Sequence, residues 1–417
     1  MFFERFDSPF YTSGPVDPER FKGRDDNVRD VLKFIPSVIN QGRLYHFFVT
    51  GKRGMGKTSF VKYLSKQVED NYHMVPIYVN NDGGNSIESL VNGIMDEIIK
   101  EVKKENLSEK ILSFFTSNID EINVGATKFK FNHEVVENTT NNFSDFLINV
   151  CDDLYENKNG LFIVIDDMNG LSDDPHFTSW YKSFTETIDF ARCHTPIVFV
   201  FVSYLKTFDK LTDINPSFSR VFKLIKIDEF YSEDMKEFFI DSFAEYGIKF
   251  KDKDSLNQMI FFSWGMPLAM QQIGESIYWN LEDEYIDLNS VNKGIINAGY
   301  EIGDKQIRNK LNKIKSNHYE NILIKLGQNE CIQFKRSDVL KFLDNSEKKV
   351  FDDFLKRMKE LNIINSMGRD NSGEYEFSNR LYFVYFLIIG KMKKFLIQAL
   401  NDGKISKREF DKYYVGF

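Results

Sequence analysis

The chain is poor in cysteine, histidine and proline. Its three cysteines, Cys151, Cys193 and Cys331, lie far apart with no CxxC pair. That spacing excludes a disulfide framework and a Cys/His zinc site, and it fits a reducing, cytoplasmic setting. Six histidines form no Ser/His/Asp or Cys/His array, and His46, on an apolar run, reads as a core residue. With nine prolines and no low-complexity tract, long disorder is not expected. No apolar run approaches the roughly 18 residues of a spanning helix. The best, Leu381–Ile389, ends beside Lys391, Lys393 and Lys394. The opening MFFERFDSPF mixes Glu4, Arg5 and Asp7 into its apolar residues, unlike a signal peptide, so no membrane partner is expected. A positive surplus is missing too: 54 basic against 62 acidic residues leave −8, which argues against a protein that coats nucleic acid.

What is present is enough apolar sequence for two to three domains in 417 residues. The 41 phenylalanines read as core residues standing in for leucine, not as a stacking surface. After a turn-rich entry, Gly14–Arg24, comes an amphipathic helix from about Asp26 to Ile39. LYHFFVT (44–50), HMVPIYVN (73–80), LFIVI (161–165), PIVFVFVS (196–203) and VFKLIKI (221–227) read as strands. Helical patterns alternate with them, including 57–69, 86–104 and 177–192. Strands apolar on both sides between helices predict an α/β fold, a parallel sheet covered on both faces. The polar stretch 105–140 reads as an insertion with a small hairpin around Gly125. From 232 to 280 the patterns are helical. Residues 318–417 read helix, helix, helix, hairpin, helix, with Asp370–Gly373 as the turn, which is a winged-helix order. The expected domains are an ATPase core (1–230), a helical lid (231–317) and a winged helix (318–417).

Gly51-Lys52-Arg53-Gly54-Met55-Gly56-Lys57-Thr58 fits GxxxxGK[ST], with a strand before it and a helix, opening with Ser59 in its first turn, after it. Glycines let backbone N–H groups wrap a phosphate, and the helix N-terminus adds partial positive charge. Lys57 can reach the β- and γ-phosphates, Thr58 can ligate Mg²⁺, and Arg53 is a solvated side chain or an extra phosphate contact. Asp166, at the end of an apolar strand, is the expected Mg²⁺-side acid. Asp167 is a candidate for orienting water, or one of several acids, with Asp173 and Asp174, in a solvated turn. Asn157-Lys158-Asn159-Gly160 lacks the aspartate of a guanine-reading NKxD and precedes a strand, which favours adenine.

With these residues the chain resembles the STAND and origin-recognition-like branch of P-loop AAA+ ATPases, from about Phe21 to residue 390. Phe21-Lys22-Gly23-Arg24-Asp25-Asp26 looks like the GR box that helps enclose the nucleotide, with Asp25 for the usual Glu and Asn27 for a second acid. Ser203 falls where such ATPases keep a polar sensor of the γ-phosphate. Arg220, in PSFSRVF, matches an arginine that reaches a neighbouring subunit's nucleotide. Gly265-Met266-Pro267-Leu268 looks like the GxP motif of the lid, whose Pro267 packs near adenine. On the residues alone, Gly23-Arg24 reads equally as a helix entry and Ser203 as a cap. Likewise Arg220 reads as a partner of a local acid, and Gly265 and Pro267 as helix breakers.

The resemblance implies a switch that binds Mg-ATP and hydrolyses it slowly, working as a homo-oligomer or with a separate effector protein. Bacterial ATPases of this layout are linked to defence against phage or mobile elements. The alternative is a DNA-binding ATPase of origin-recognition or transposition-regulating type; a scaffold that binds nucleotide without turnover is a third reading. The DNA reader would be the third helix of the winged unit. Over Glu347–Glu360 its five basic residues against four acidic ones are weak for phosphate contact. Residues 318–417 nonetheless carry 18 basic and 14 acidic residues, a local +4, while 151–300 carry 13 and 25.

Overall fold

The structure is a computed structural model describing residues 7–81, 84–105, 107–116, 119–122, 129–131, 133–191, 194–312, 314, 316–367, 373–402 and 406. Two compact units divide the chain: one is Pro15–Asp228, and the other joins residues 7–14 to residues from Glu229 onward. The opening segment, expected with the ATPase core, packs in the second unit because Phe10 is buried against Phe238, Phe243 and Gly274.

In the first unit, α1 (Asp25–Leu32) and α2 (Ile35–Gln41) replace the single helix expected there. Pro36 explains the break, since it has no N–H to donate to the Leu32 carbonyl and its ring crowds that carbonyl, whereas the first turn of a helix tolerates it. Next come β1 (Leu44–Thr50), α3 (Lys57–Tyr72), β2 (Val75–Asn80) and α4 (Ile87–Glu105). The 105–140 stretch forms α5 (Glu109–Thr116), the antiparallel pair β3 (Ile119–Ile122) and β4 (Phe129–Phe131), and α6 (His133–Asn141); Gly125 lies outside the described residues. Then follow α7 (Phe143–Leu154), β5 (Leu161–Asp166), α8 (Phe177–Ala191), β6 (Ile197–Ser203), α9 (Leu205–Ile214), α10 (Phe218–Val221) and β7 (Lys223–Lys226).

The main sheet is five-stranded and parallel, in the order β2-β5-β6-β1-β7. Burial follows that order. Central β5 and β6 are buried at every position, whereas edge strand β2 alternates buried with half-buried positions and ends on exposed Asn80. The covering helices make this possible, since both faces of a parallel sheet must be shielded from water. Phenylalanine does serve as core residue here: Phe47, Phe48, Phe162, Phe199 and Phe201 are fully or almost fully buried. His46 belongs to the same core and shares a 2.7 Å hydrogen bond with the Tyr181 hydroxyl. The register sets Thr50 level with Ser203, and Asp166 with Val202, so the ends of β1, β6 and β5 form one row.

In the second unit, α11 (Ser232–Ala244), α12 (Lys253–Ser263), α13 (Pro267–Asn280) and α14 (Leu288–Ile302) form the helical part. A two-residue parallel pair, β8 (Lys249–Phe250) with β9 (Tyr285–Ile286), ties it together. A π-helical segment, Gly303–Arg308, and a short α15 (Asn309–Leu311) follow. The C-terminal part runs α16 (Asn317–Gln328), β10 (Gln333–Lys335), α17 (Arg336–Val339), α18 (Asn345–Glu360), β11 (Ile364–Ser366), β12 (Glu374–Phe377) and α19 (Arg380–Asn401). Its strands form an antiparallel sheet in the order β10-β12-β11. The stretches expected as lid and winged helix share one hydrophobic core, in which Met270, Ile295, Leu323, Phe354 and Leu381 all take part. Arg380 lies between the rings of Phe261 and Trp264 and donates to the Phe261 carbonyl at 2.6 Å. Among the described residues, no helix is long and apolar enough to cross a membrane.

Candidate functional site

The site grows from the loop between β1 and α3. Gly54 and Gly56 take φ of 82° and 81°, a left-handed backbone that glycine adopts without a Cβ clash. Gly51 is required for a different reason: a Cβ there would come 2.5 Å from the Ile227 carbonyl oxygen. The helix N-cap, Gly56, receives no side-chain hydrogen bond. The N–H groups of Gly54, Gly56, Lys57 and Thr58 make no hydrogen bond with a described residue. A row of open donors at a helix N-terminus fits a polyphosphate.

Lys57 holds the loop in shape. Its Nζ donates to the carbonyls of Gly51 at 2.8 Å and Lys52 at 3.2 Å. It also lies 4.6 Å from the centroid of the Tyr204 ring. Burial lowers the pKa of this ammonium from its ordinary value, and Arg53 adds to that, while Asp166 and Asp167 pull it back up. Arg53 itself is exposed. Thr58, half-buried, follows directly at the start of the helix. Met55 is buried, and its carbonyl accepts from Arg24 at 3.4 Å. Gly23 and Arg24 both take left-handed φ, 73° and 68°, at the entry to α1. The pair expected to enclose nucleotide thus reaches the phosphate loop. Ser59 is buried and accepts from the Val16 N–H at 3.2 Å, so its hydroxyl oxygen anchors the entry segment.

Asp166 is buried at the end of β5, and each of its oxygens has a donor. Oδ1 takes the Asp167 N–H at 2.9 Å, and Oδ2 takes the Tyr78 hydroxyl at 2.7 Å. Burial first, then the carboxylate's charge, push the Tyr78 pKa well above its ordinary value, so this tyrosine stays a donor. Asp167 is exposed at φ 57°, and its Oδ1 accepts from the Asn169 side chain. Asn169 Oδ1 in turn accepts from Ser203 Oγ at 2.7 Å and Thr207 Oγ1 at 2.8 Å. The residue expected to sense phosphate therefore holds its hydroxyl on Asn169 here. Sequence reasoning missed Tyr78, Asn169, Thr207 and Tyr204. The faint signals were the Asn two places after Asp167 and the Tyr adjoining Ser203.

Arg220 is exposed near the end of α10, and its side chain makes no hydrogen bond or ion pair with a described residue. Pro267 starts α13 after Gly265 at φ 69°, where a Cβ would meet the Phe230 backbone at 2.7 Å. That motif belongs to the second unit. Among the described residues, no group of three His, Cys, Asp or Glu side chains could hold a metal unaided. Thr58 and Asp166 fit Mg²⁺ that arrives with a nucleotide, because such ions take only one or two protein oxygens plus phosphate. Bound there, Mg²⁺ would neutralise charge on the phosphate oxygens. This chain's residues would cradle the phosphates and fix the acid.

A model of the KAP family P-loop domain matches residues 29–178. The fold is similar to that of the ORC2 protein of Aeropyrum pernix in its ADPNP–ADP complexes, at 10% identity and a TM-score of 0.58; the match covers 94% of this chain and 98% of that one. It is also similar to a Walker-type ATPase of Pyrococcus abyssi, at 13% identity and a TM-score of 0.53, over 91% of this chain and 99% of the other. Among curated proteins, no sequence match is found. The chain is thus a P-loop NTPase by fold, with residues 29–178 similar to the KAP family P-loop domain and an architecture similar to that of the Aeropyrum pernix ORC2 protein.

Proposed function

We propose that this protein is a Mg-ATP-dependent switch that couples nucleotide state to self-assembly or to binding of an effector protein. The observation that carries the reading is the set of open N–H groups on the Gly51–Thr58 loop beside Lys57 and the buried Asp166. Adenine is the favoured base, and Pro267 is its expected neighbour on the lid. In hydrolysis, water held by Asp167 attacks the γ-phosphorus, the bond to the bridging oxygen breaks, and ADP and phosphate leave. An aspartate reaches less far than a glutamate would, which supports slow turnover, suited to resetting a switch. Arg220, exposed and unpaired among the described residues, suits a role across a subunit interface. A role in defence against phage or mobile elements, and a cytoplasmic location, are the biological setting we attach to this switch, on resemblance alone. The test is mass photometry with and without Mg-ATP, using Lys57→Ala as control. ATP-dependent assembly lost in Lys57→Ala is expected; identical mass distributions would sink the reading.

A second reading, DNA binding through 318–417 read as a winged helix, is favoured by the pairing of charges on α18. Glu347 is buried and pairs with Lys325, Asp352 pairs with Arg336, and Glu360 with Arg357. Lys348, Lys349, Lys356 and Lys359 are exposed and have no ion pair with a described residue. The near balance of charges read from sequence therefore understates the positive face. This reading expects duplex DNA binding that strengthens as salt falls and weakens in Lys349→Glu/Lys356→Glu. Binding unchanged in that variant would count against it.

A further inference from the structure

We propose that Asn169 is a positioning residue that ties the candidate water-holding Asp167 to the tip of β6, an inference that rests on the hydrolytic reading above. The physical case begins with the turn after β5. Asp167 sits at φ 57°, a left-handed conformation that is strained for a residue with a Cβ and that Asp tolerates better than most. That turn brings its Oδ1 onto the Asn169 amide, which donates to it. The same amide's oxygen collects two donors, Ser203 Oγ at the end of β6 at 2.7 Å and Thr207 Oγ1 in the first turn of α9 at 2.8 Å. Ser203 and Thr207 are both buried, so these hydrogen bonds are shielded from competing water.

The chemistry of an amide is what the position needs. Its NH₂ faces a carboxylate and its oxygen faces two hydroxyls, so no other common side chain of this size satisfies both sides. A carboxylate here would still accept from Ser203 and Thr207 but would repel Asp167. An apolar residue would release all three. With Oδ1 held by Asn169, Asp167 keeps Oδ2 to accept from water, and its direction is set by β6, not by the turn alone. Both ends of the Asn169 amide are engaged by protein groups, so it acts through Asp167.

The substitutions separate these links. Asn169→Asp breaks the contact to Asp167 while keeping acceptors for Ser203 and Thr207; Thr207→Val removes one outer support. Each variant is titrated with a fluorescent ATP analogue, assayed for phosphate release across Mg-ATP concentration, and followed by thermal unfolding. Asn169→Asp is expected to lower kcat by about tenfold, less than the roughly 10²–10⁴-fold of a lost acid–base group, because Asp167 itself remains. KM, analogue affinity and unfolding temperature should stay close to wild type, and Thr207→Val should fall between. Wild-type kcat in Asn169→Asp would overturn the proposal, as would parallel loss of affinity and stability, which would mark a structural role. Wild-type protein that binds nucleotide without releasing phosphate would overturn the hydrolytic reading itself, and this inference with it.

Discussion

Replacing Tyr204 tests whether the phosphate lysine must be released before it can bind. Two of the three N–H bonds of Lys57 are committed to the Gly51 and Lys52 carbonyls, which leaves one for a phosphate oxygen. The Tyr204 ring, 4.6 Å from Nζ, lies over the remaining side of the ammonium. Tyr204 is 39% exposed, so the contact is partly screened and is worth about 0.5–1 kcal/mol. If an arriving phosphate displaces the ring, that energy is lost on binding. Tyr204→Ala should then tighten ATP affinity by about two- to fivefold, the same energy expressed as a ratio. Tyr204→Phe keeps the ring face and should match wild type. Fluorescence titration with a labelled ATP analogue in Mg²⁺ reads the affinity directly. Weaker binding in Tyr204→Ala would refute the argument, because it would mean the ring supports nucleotide instead of shielding the lysine.

Three further outcomes follow from other contacts. Gly51→Ala places a Cβ 2.5 Å from the Ile227 carbonyl oxygen, which belongs to rigid backbone. The strain should cost about 1–3 kcal/mol in urea unfolding and abolish analogue binding. Tyr78→Phe removes the 2.7 Å hydrogen bond to Asp166 Oδ2. Its half-saturating Mg²⁺ concentration in the nucleotide titration should rise about tenfold, as when other residues that orient a metal ligand are lost. Burial lowers the His46 pKa from 6.5 to about 3, so below pH 6.5 the unfolded chain takes up a proton that the folded one refuses. Stability should therefore fall by about 1.4 kcal/mol per pH unit as pH drops from 6.5 toward 3, and be retained above 6.5. Paired replacement, His46→Phe with Tyr181→Phe, should flatten that limb in denaturant titrations at pH 5 and pH 7.

The phosphate loop was legible because its function is written in consecutive residues, and the buried strands because β5 and β6 are apolar at nearly every position. Other features depend on contacts that no local pattern encodes. Tyr78 sits at a half-buried position of edge strand β2 and reads as a surface residue until β5 is placed beside it. Strand β10 has three residues, too few for alternation to show, and is defined by its pairing with β12. Phe10 looks like part of an unstructured entry; burial against α13 needs a partner more than 260 residues away. The charge of α18 shows the same limit, since Glu347 counts as a surface acid in sequence but closes a capping box with Asp344 and pairs with Lys325 in the fold. The helix break at Pro36 differs: its cause is local, a proline without the N–H that would continue the helix, yet the apolar spacing from Asp26 to Ile39 reads as one helix.

The strand order explains why the missed residues cluster. Placing β6 between β1 and β5 puts one strand end against both halves of the site. Ser203 reaches the Asp167 side through Asn169, and the very next residue, Tyr204, reaches Lys57. Both contacts leave one strand end, a single peptide unit apart, so Lys57 and the Asp167 turn share a neighbour, although the Tyr204 ring can turn about its own side-chain bonds without moving Ser203. A sheet with β1 and β5 adjacent would have no such intermediary. In this fold, the end of β6 as a whole touches both halves of the candidate site, with Ser203 as one of its parts.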